Sequence, residues 1–294
     1  MKSLFVGAAV AVVLLLGGGS AHAQATSGTI TWNAWSFNWS LENSAGLTVR
    51  SVKRNNILYI NKMSMPAVRV KYYPNNPCGP YIDRLSTDTI QLSNGKFERI
   101  AYGANNAYVK IWIEATLSAY RLRQGYIFYA DGRLVPYLES SGLQCMTFTT
   151  HHIHHPYWRI DADIGNASSD QITSEDNTSI TSWTVEQQQV KGPGRNWYVR
   201  DVGYGKTLAI SPSPDGVADP AYASWDFAAL LYKFPHEGEP WPDTAGDVVI
   251  TSDGNENIWQ KDVIVWYAGH LRHDTPAGAS PNQWGYIGPV LQCY

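Results

Sequence analysis

Apolar and polar residues alternate with a period of two over much of the chain, the pattern of strands that bury one face. Ile30 to Trp39 reads I-T-W-N-A-W-S-F-N-W, and Tyr108 to Leu117 reads Y-V-K-I-W-I-E-A-T-L. Each run predicts a strand. Tyr126 to Tyr129, then Ala130-Asp131-Gly132, then Arg133 to Leu138 has the form of a hairpin with Asp-Gly at its turn. Asp262 to Tyr267, D-V-I-V-W-Y, predicts a further buried strand, and Asn94-Gly95, Asp215-Gly216 and Asp253-Gly254 mark turns. No long stretch carries a helical apolar period, and no repeat is evident. The polar stretches Asn166 to Ser182 and Ser211 to Pro220 read as exposed loops. The pattern predicts an all-β fold, a large antiparallel β-sandwich, most simply in one domain.

The N-terminal segment is different. Lys2 precedes an apolar run, Leu4 to Leu16, which is followed by Gly17-Gly18-Gly19-Ser20 and Ala21-His22-Ala23. A basic start, a short apolar core and a small-x-small end predict a signal peptide over residues 1–23, with 24–294 as the sandwich domain. The run is too short for a permanent anchor. The expected product is secreted or periplasmic, with no membrane association after cleavage. With 22 basic and 25 acidic residues and no basic run, a nucleic-acid partner is not expected. Charged residues at 16% and aromatics at 13% exclude a disordered chain or a coiled coil. Cys78, Cys145 and Cys293 allow at most one internal disulfide, and their spacing does not say which two would pair.

Candidate chemistry concentrates in the histidines. His151, His152, His154 and His155 form one cluster, His270 and His273 a second, and His236 stands apart. In a strand, residues i and i+2 share a face, so His152 and His154 can hold one metal from adjacent rungs. A third histidine from another strand would complete a three-histidine site with an open position. Asp161-Ala162-Asp163 repeats the i, i+2 spacing with hard oxygen donors, suited to calcium or manganese. His154 and Asp161 are an odd number of positions apart, as are Asp262 and His273. If the two strands run side by side, His273 joins His152 and His154 on one face, and Asp262 joins Asp161 and Asp163 on the other. The bland alternative is a solvated, histidine-rich loop that binds metal adventitiously.

With these residues in view, the chain resembles the catalytic β-sandwich domain of the copper amine oxidases. His152-Ile153-His154, four residues, then Arg159-Ile160-Asp161-Ala162-Asp163-Ile164 matches that family's H-x-H-x(4)-R-x-D-x-D-[IV] run without a gap. Asp262-Val263-Ile264-Val265-Trp266 followed by His273 resembles its D-[IVL]-V-x-W-x(6)-H stretch without a gap, with Ile264 in place of the valine. Trp32-x-x-Trp35-x-Phe37, Gly46-Leu47, Ile57-Leu58-Tyr59 and Met65-Pro66 follow the order of its opening strands. The resemblance implies copper on His152, His154 and His273, with His270 as the rival third ligand. It implies calcium or manganese on Asp161, Asp163 and Asp262, aided by the carbonyls of Ala162 and Val263. Tyr81-Ile82-Asp83 resembles the family's Y-F-D, which makes Asp83 the implied catalytic base. The family's cofactor, topaquinone, is made from a tyrosine in an N-Y-[DE] motif. The equivalent position is Tyr120, in the context Ala119-Tyr120-Arg121, where Arg121 would alter the charge beside the ring.

The implied activity is oxidation of a small primary amine by O2 to an aldehyde, hydrogen peroxide and ammonia, and the implied assembly is a homodimer. The chain is read as the sandwich pared to its core, without accessory domains. The readings kept open are a copper-binding protein of the same fold without the quinone, a sugar-binding module whose tryptophans and tyrosines stack on its ligand, and a three-histidine zinc hydrolase.

Overall fold

In the computed structural model the described residues are 26–43, 45–73, 79–83, 85, 99–102, 107–117, 120–142, 151–218, 224–233, 255–274 and 284–294. The signal-peptide segment, the turns at Asn94-Gly95 and Asp253-Gly254, and His236, Cys78 and Cys145 lie outside them. Cys293 is a buried free thiol.

Where β-branched and aromatic residues alternate with polar ones, the chain forms strands. The first five are β1 (Ser27–Trp32), β2 (Trp35–Glu42), β3 (Gly46–Arg54), β4 (Ile57–Tyr73) and β5 (Tyr81–Asp83). Then come β6 (Arg99–Tyr102), β7 (Tyr108–Leu117), β8 (Tyr120–Tyr129), β9 (Arg133–Gly142) and β10 (His151–Asp161). β11 (Asp170–Glu175), β12 (Ile180–Trp183), β13 (Gln187–Gln189), β14 (Asn196–Asp201) and β15 (Lys206–Ser211) follow. The last are β16 (Phe227–Leu231), β17 (Val263–Ala268), β18 (Leu271–His273), β19 (Gly285–Ile287) and β20 (Val290–Cys293).

They form two antiparallel sheets. The first runs β1-β2-β3-β4-β10-β17-β16-β13, with β5 on β4 and β18 on β10. The second runs β12-β11-β14-β15-β20-β9-β8-β7-β6, with β19 on β9. The inner faces share one apolar core, with Val49, Met63, Trp158, Ile160, Val263 and Val265 from the first sheet and Val109, Leu122, Leu134, Leu208 and Leu291 from the second. Phe37 stacks on Phe128 across the sheets at 3.9 Å between ring centroids, and Trp197 stacks on Phe227 at 4.8 Å. Among the polar links that cross this core, Gln124 accepts from the Leu47 amide at 2.9 Å and donates to the Leu47 carbonyl at 2.7 Å. Both polar ends of the buried amide are thereby satisfied.

The predicted β-sandwich is the observed architecture, and β7 and the β8–β9 hairpin fall where the alternation places them. Gly132 makes that hairpin's turn at φ 98°, a conformation an L side chain adopts only with strain. Two local readings need correction. The alternating run from Ile30 to Trp39 is two strands folded back at Asn33-Ala34, with Asn33 at φ 52° and Trp32 opposite Trp35. A turn inserted in phase leaves the alternation unbroken, so the period alone does not reveal it. The polar stretch from Asn166 to Ser182 is largely the β11–β12 hairpin rather than an exposed loop. Asp170, Thr173 and Ser174 are buried there, so polarity hid the strand, and Asp176 closes its turn by accepting from the Thr178 and Ser179 amides.

Candidate metal centre and active site

β10 lies at the middle of the first sheet, between β4 and the β17–β18 ribbon. Its even positions face the core, where Trp158 and Ile160 pack, and Tyr157 packs in a separate cluster on the outer face. A single antiparallel register pairs His152 with His273, Tyr157 with Ala268 and Asp161 with Ile264. Continued through the break between β17 and β18, that register sets His155 across from His270. Continued past the strand end, it sets Asp163 across from Asp262. Period two and one register therefore sort the metal-ligating residues onto two faces.

On the inner face, His152, His154 and His273 are buried, and one ring nitrogen of each lies within 4.8 Å of the others. His152 Nε2 and His154 Nε2 are 3.0 Å apart, the separation of two nitrogens that share a metal at about 2.0–2.1 Å. Burial, reinforced by His273, pushes the His152 pKa down to about 3. The His154 pKa is driven well down by burial and by His152, and burial lowers that of His273. All three rings are neutral at pH 7, the state a metal requires of imidazole. His154 Nδ1 and His273 Nδ1 are buried without a hydrogen-bond partner, and Ser140 Oγ lies 3.2 Å from His154 Nε2. Convergent neutral nitrogens with no competing positive charge on them fit copper.

His270 is placed elsewhere. It faces the outer side, with Nδ1 2.8 Å from His155 Nδ1 and Nε2 3.4 Å from Asp226 Oδ1.

Tyr120 reaches this centre from the other sheet, at the start of β8. Its ring is 98% buried and meets that of His154 edge-on at 5.1 Å between centroids, and its hydroxyl is 3.4 Å from His152 Nε2. Tyr72, from β4, stacks on His152 at 4.9 Å and places its hydroxyl against that of Tyr120. Burial pushes the Tyr72 pKa up to about 12, and the Asp83 carboxyl adds to that push. Asp83 pairs with Val68 of β4, and burial raises its own pKa to about 6. The fold thus brings Asp83, Tyr72, Tyr120 and His152 into one neighbourhood. Arg121 does not alter the charge beside the Tyr120 ring. It points to the opposite face of β8, bound to Glu114 at 2.6 Å and 5.1 Å from the Trp284 ring. Alternation along a strand forces that divergence.

On the outer side, one oxygen each of Asp161, Asp163 and Asp262 lies within 4.8 Å of the others. Each has an Oδ1 buried without a partner, while Asn61 donates to Asp161 Oδ2 at 3.2 Å. Burial and then Asp161 and Asp262 push the Asp163 pKa up to about 7, and burial and Asp161 push that of Asp262 up to about 6. Three orphaned hard oxygens fit calcium or manganese. A fourth carboxylate, Asp170, is fully buried beside them, and among the described residues no side chain hydrogen-bonds either of its oxygens. Burial, then Asp163, Asp201 and Asp262, push its pKa up to about 9, and the Ile164 amide offsets only part of this.

Sequence reasoning passed over Tyr72, Ser140 and Asp170. Tyr72 sits in the long apolar run of β4, where a tyrosine reads as core, and Asp170 sits in a stretch polar enough to read as solvent-exposed.

No protein-family model and no curated protein matches this sequence. Solved structures do match. The copper-containing benzylamine oxidase from Hansenula polymorpha superposes with a TM-score of 0.71 at 12% identity over 90% of this chain and 59% of its own. The Aspergillus nidulans amine oxidase gives 0.70 at 13% identity, over 90% of this chain and 51% of its own. The Pichia pastoris lysyl oxidase gives 0.65 at 11% identity, with the same coverage. The likeness shows a shared fold: a β-sandwich of the copper amine oxidase type, here with a buried three-histidine cluster. The chain spans 51–59% of the length of these structures.

Proposed function

We propose that this protein is an exported, copper-dependent primary-amine oxidase. The observation that carries this reading is the Tyr120 hydroxyl, 3.4 Å from His152 Nε2 beside a buried three-histidine cluster, with Asp83 in the same neighbourhood. His152, His154 and His273 would hold copper. Asp161, Asp163 and Asp262, with the carbonyls of Ala162 and Val263, would hold calcium or manganese. The basic, apolar and small-residue order of residues 1–23 supports export, and the resemblance supports a homodimer.

The overall reaction takes a primary amine, O2 and water to an aldehyde, ammonia and hydrogen peroxide. Copper held by His152, His154 and His273 would, with O2, supply the oxidising power for making a quinone of Tyr120 and for its re-oxidation. The chain's own residues position and move protons. The Asp83 carboxylate, with a pKa near 6, is ionised at neutral pH yet basic enough to take the proton from the carbon next to the substrate nitrogen. The Tyr72 hydroxyl, held protonated by burial, orients the Tyr120 oxygen through its hydrogen bond. The apolar residues around the cluster keep water out, which strengthens each of these polar contacts.

The test is a visible spectrum of copper-reconstituted, aerated protein before and after a phenylhydrazine-type carbonyl reagent. A band that shifts on derivatisation and is lost in Tyr120→Phe supports amine oxidation. Bound copper without a titratable carbonyl leaves the second reading, a copper protein of this fold without the quinone. The Ala119-Tyr120-Arg121 context, which lacks the flanking Asn and acidic residue of the family motif, favours that second reading.

A further inference from the structure

The three-histidine cluster depends on a short element. β18 has three residues, and among the described strands it is hydrogen-bonded only to β10. Three backbone pairs are a weak hold for a segment that must deliver His273 to within a few tenths of an ångström. The opposite face of the same two strands carries a buried polar chain that no step above uses. His155 follows His154 directly, and His270 precedes β18. Their Nδ1 atoms are 2.8 Å apart and their rings meet at 72°. His270 Nε2 is 3.4 Å from Asp226 Oδ1, and Asp226 Oδ2 accepts from the Lys191 amide at 2.7 Å. His155, His270 and Asp226 are 0%, 3% and 5% exposed.

The hydrogen-bond inventory gives the chain a direction. One ring must donate and the other accept across the short Nδ1–Nδ1 contact, and the negative Asp226 carboxylate 3.4 Å from His270 Nε2 favours a proton on that nitrogen, which leaves His270 Nδ1 to accept from His155 Nδ1. The main chain holds the same junction: Gly269 donates to the Pro156 carbonyl at 2.9 Å and Val217 to the His270 carbonyl at 3.0 Å. Asp226 is itself tied to the sheet, since Ala268 donates to its carbonyl at 2.9 Å.

We propose that Asp226, His270 and His155 form a positioning chain that locks the junction before β18 against β10 and so fixes His273 relative to His152 and His154. The proposal rests on the reading that these three histidines hold copper. Such partners behind metal ligands typically change affinity by about 10–100-fold when removed. His270→Phe keeps a ring and removes both links. His270→Asn keeps an acceptor toward His155. Asp226→Asn is the milder change that keeps the fold if the ring variant does not.

The experiment measures copper affinity by chelator competition, and the Cu(II) electron paramagnetic resonance spectrum, for the full-length mature protein and these variants, with His154→Ala as reference. The expected result is copper lost in His154→Ala, bound about 10–100-fold more weakly with altered Cu(II) parameters in His270→Phe, weakened less in Asp226→Asn, and substantially restored in His270→Asn. If His154→Ala binds copper as the parent does, the copper reading fails and this proposal falls with it. If His154→Ala loses copper while His270→Phe and Asp226→Asn keep the parental affinity and spectrum, the positioning chain alone is refuted.

Discussion

Replacing Asp170 by Asn should stabilise the metal-free protein at neutral pH, by an amount that grows with pH. Asp170 is fully buried with no side-chain hydrogen-bond partner among the described residues, and its folded-state pKa is pushed up to about 9. In the unfolded chain an aspartate titrates near 3.9, so between about pH 4 and pH 9 the folded state holds a proton that the unfolded state has released. The sign follows. Stability from this group is full below pH 4, falls by about 1.4 kcal/mol per pH unit as pH rises, and levels off above 9. At pH 7 the deficit has a ceiling of about 4 kcal/mol, reduced by any relaxation around the group. Asp163 and Asp262 act in the same direction up to their folded values near 7 and 6, and the coupled group titrates in shared steps. The buried histidines act oppositely: with folded pKa values below 6.5, they lose stability as pH falls, and contribute no slope above about 7. The informative window is therefore pH 7 to 8.5, where the buried Cys293 thiol adds only a small slope of the same sign near the upper end, one that the comparison with Asp170→Asn cancels. The assay is denaturant unfolding followed by tryptophan fluorescence, with a chelator present. Wild type should lose about 2 kcal/mol across that window. Asp170→Asn should be more stable by a margin widening from pH 7 to 8.5 and near zero at pH 4, while saturating calcium or manganese should flatten the wild-type slope. A metal-free stability that is level or rises from pH 7 to 8.5, or an Asp170→Asn variant no more stable than wild type at pH 8.5, would refute the reasoning.

Three further outcomes are expected. Copper at a hundredfold excess over its dissociation constant should raise wild-type stability by about 2.7 kcal/mol, read as a thermal shift, and His154→Ala should abolish that shift. Asp83→Asn should lower kcat by about a hundredfold or more with copper content unchanged, and the parental rate should rise with pH through about 6 as the carboxylate forms; an unchanged kcat would remove Asp83 from the mechanism. Arg121→Ala should leave copper affinity unaltered and change stability by less than about 1 kcal/mol, because its ion pair with Glu114 is partly exposed and on the far face from Tyr120.

How far the site can be read in advance follows from the geometry of a strand. The i, i+2 spacing of His152 and His154, and the odd offsets to Asp161 and from Asp262 to His273, hold in any extended strand. They separated a nitrogen set from an oxygen set before any neighbour was known. His270 was ambiguous by spacing and is not ambiguous in the fold, because the register that pairs His152 with His273 turns the residue three positions earlier to the other side. Arg121 was misread beside the Tyr120 ring because adjacency in sequence was taken for adjacency in space; in a strand it means the reverse.

What the sequence determined by itself is local and periodic: the strands of β7, β8, β9 and β17, the all-β class, and which side of a strand each candidate ligand occupies. A period of two is set by the backbone of each strand alone. What only the tertiary structure decided is which strands are neighbours. Tyr120 meets His152 across the two sheets, Tyr72 meets both from β4, and Asp170 comes to lie by Asp163 and Asp262 from a stretch whose polarity concealed a strand. Those meetings depend on how two curved sheets pack their shared core, an outcome of the summed apolar burial of the whole chain that no single motif encodes.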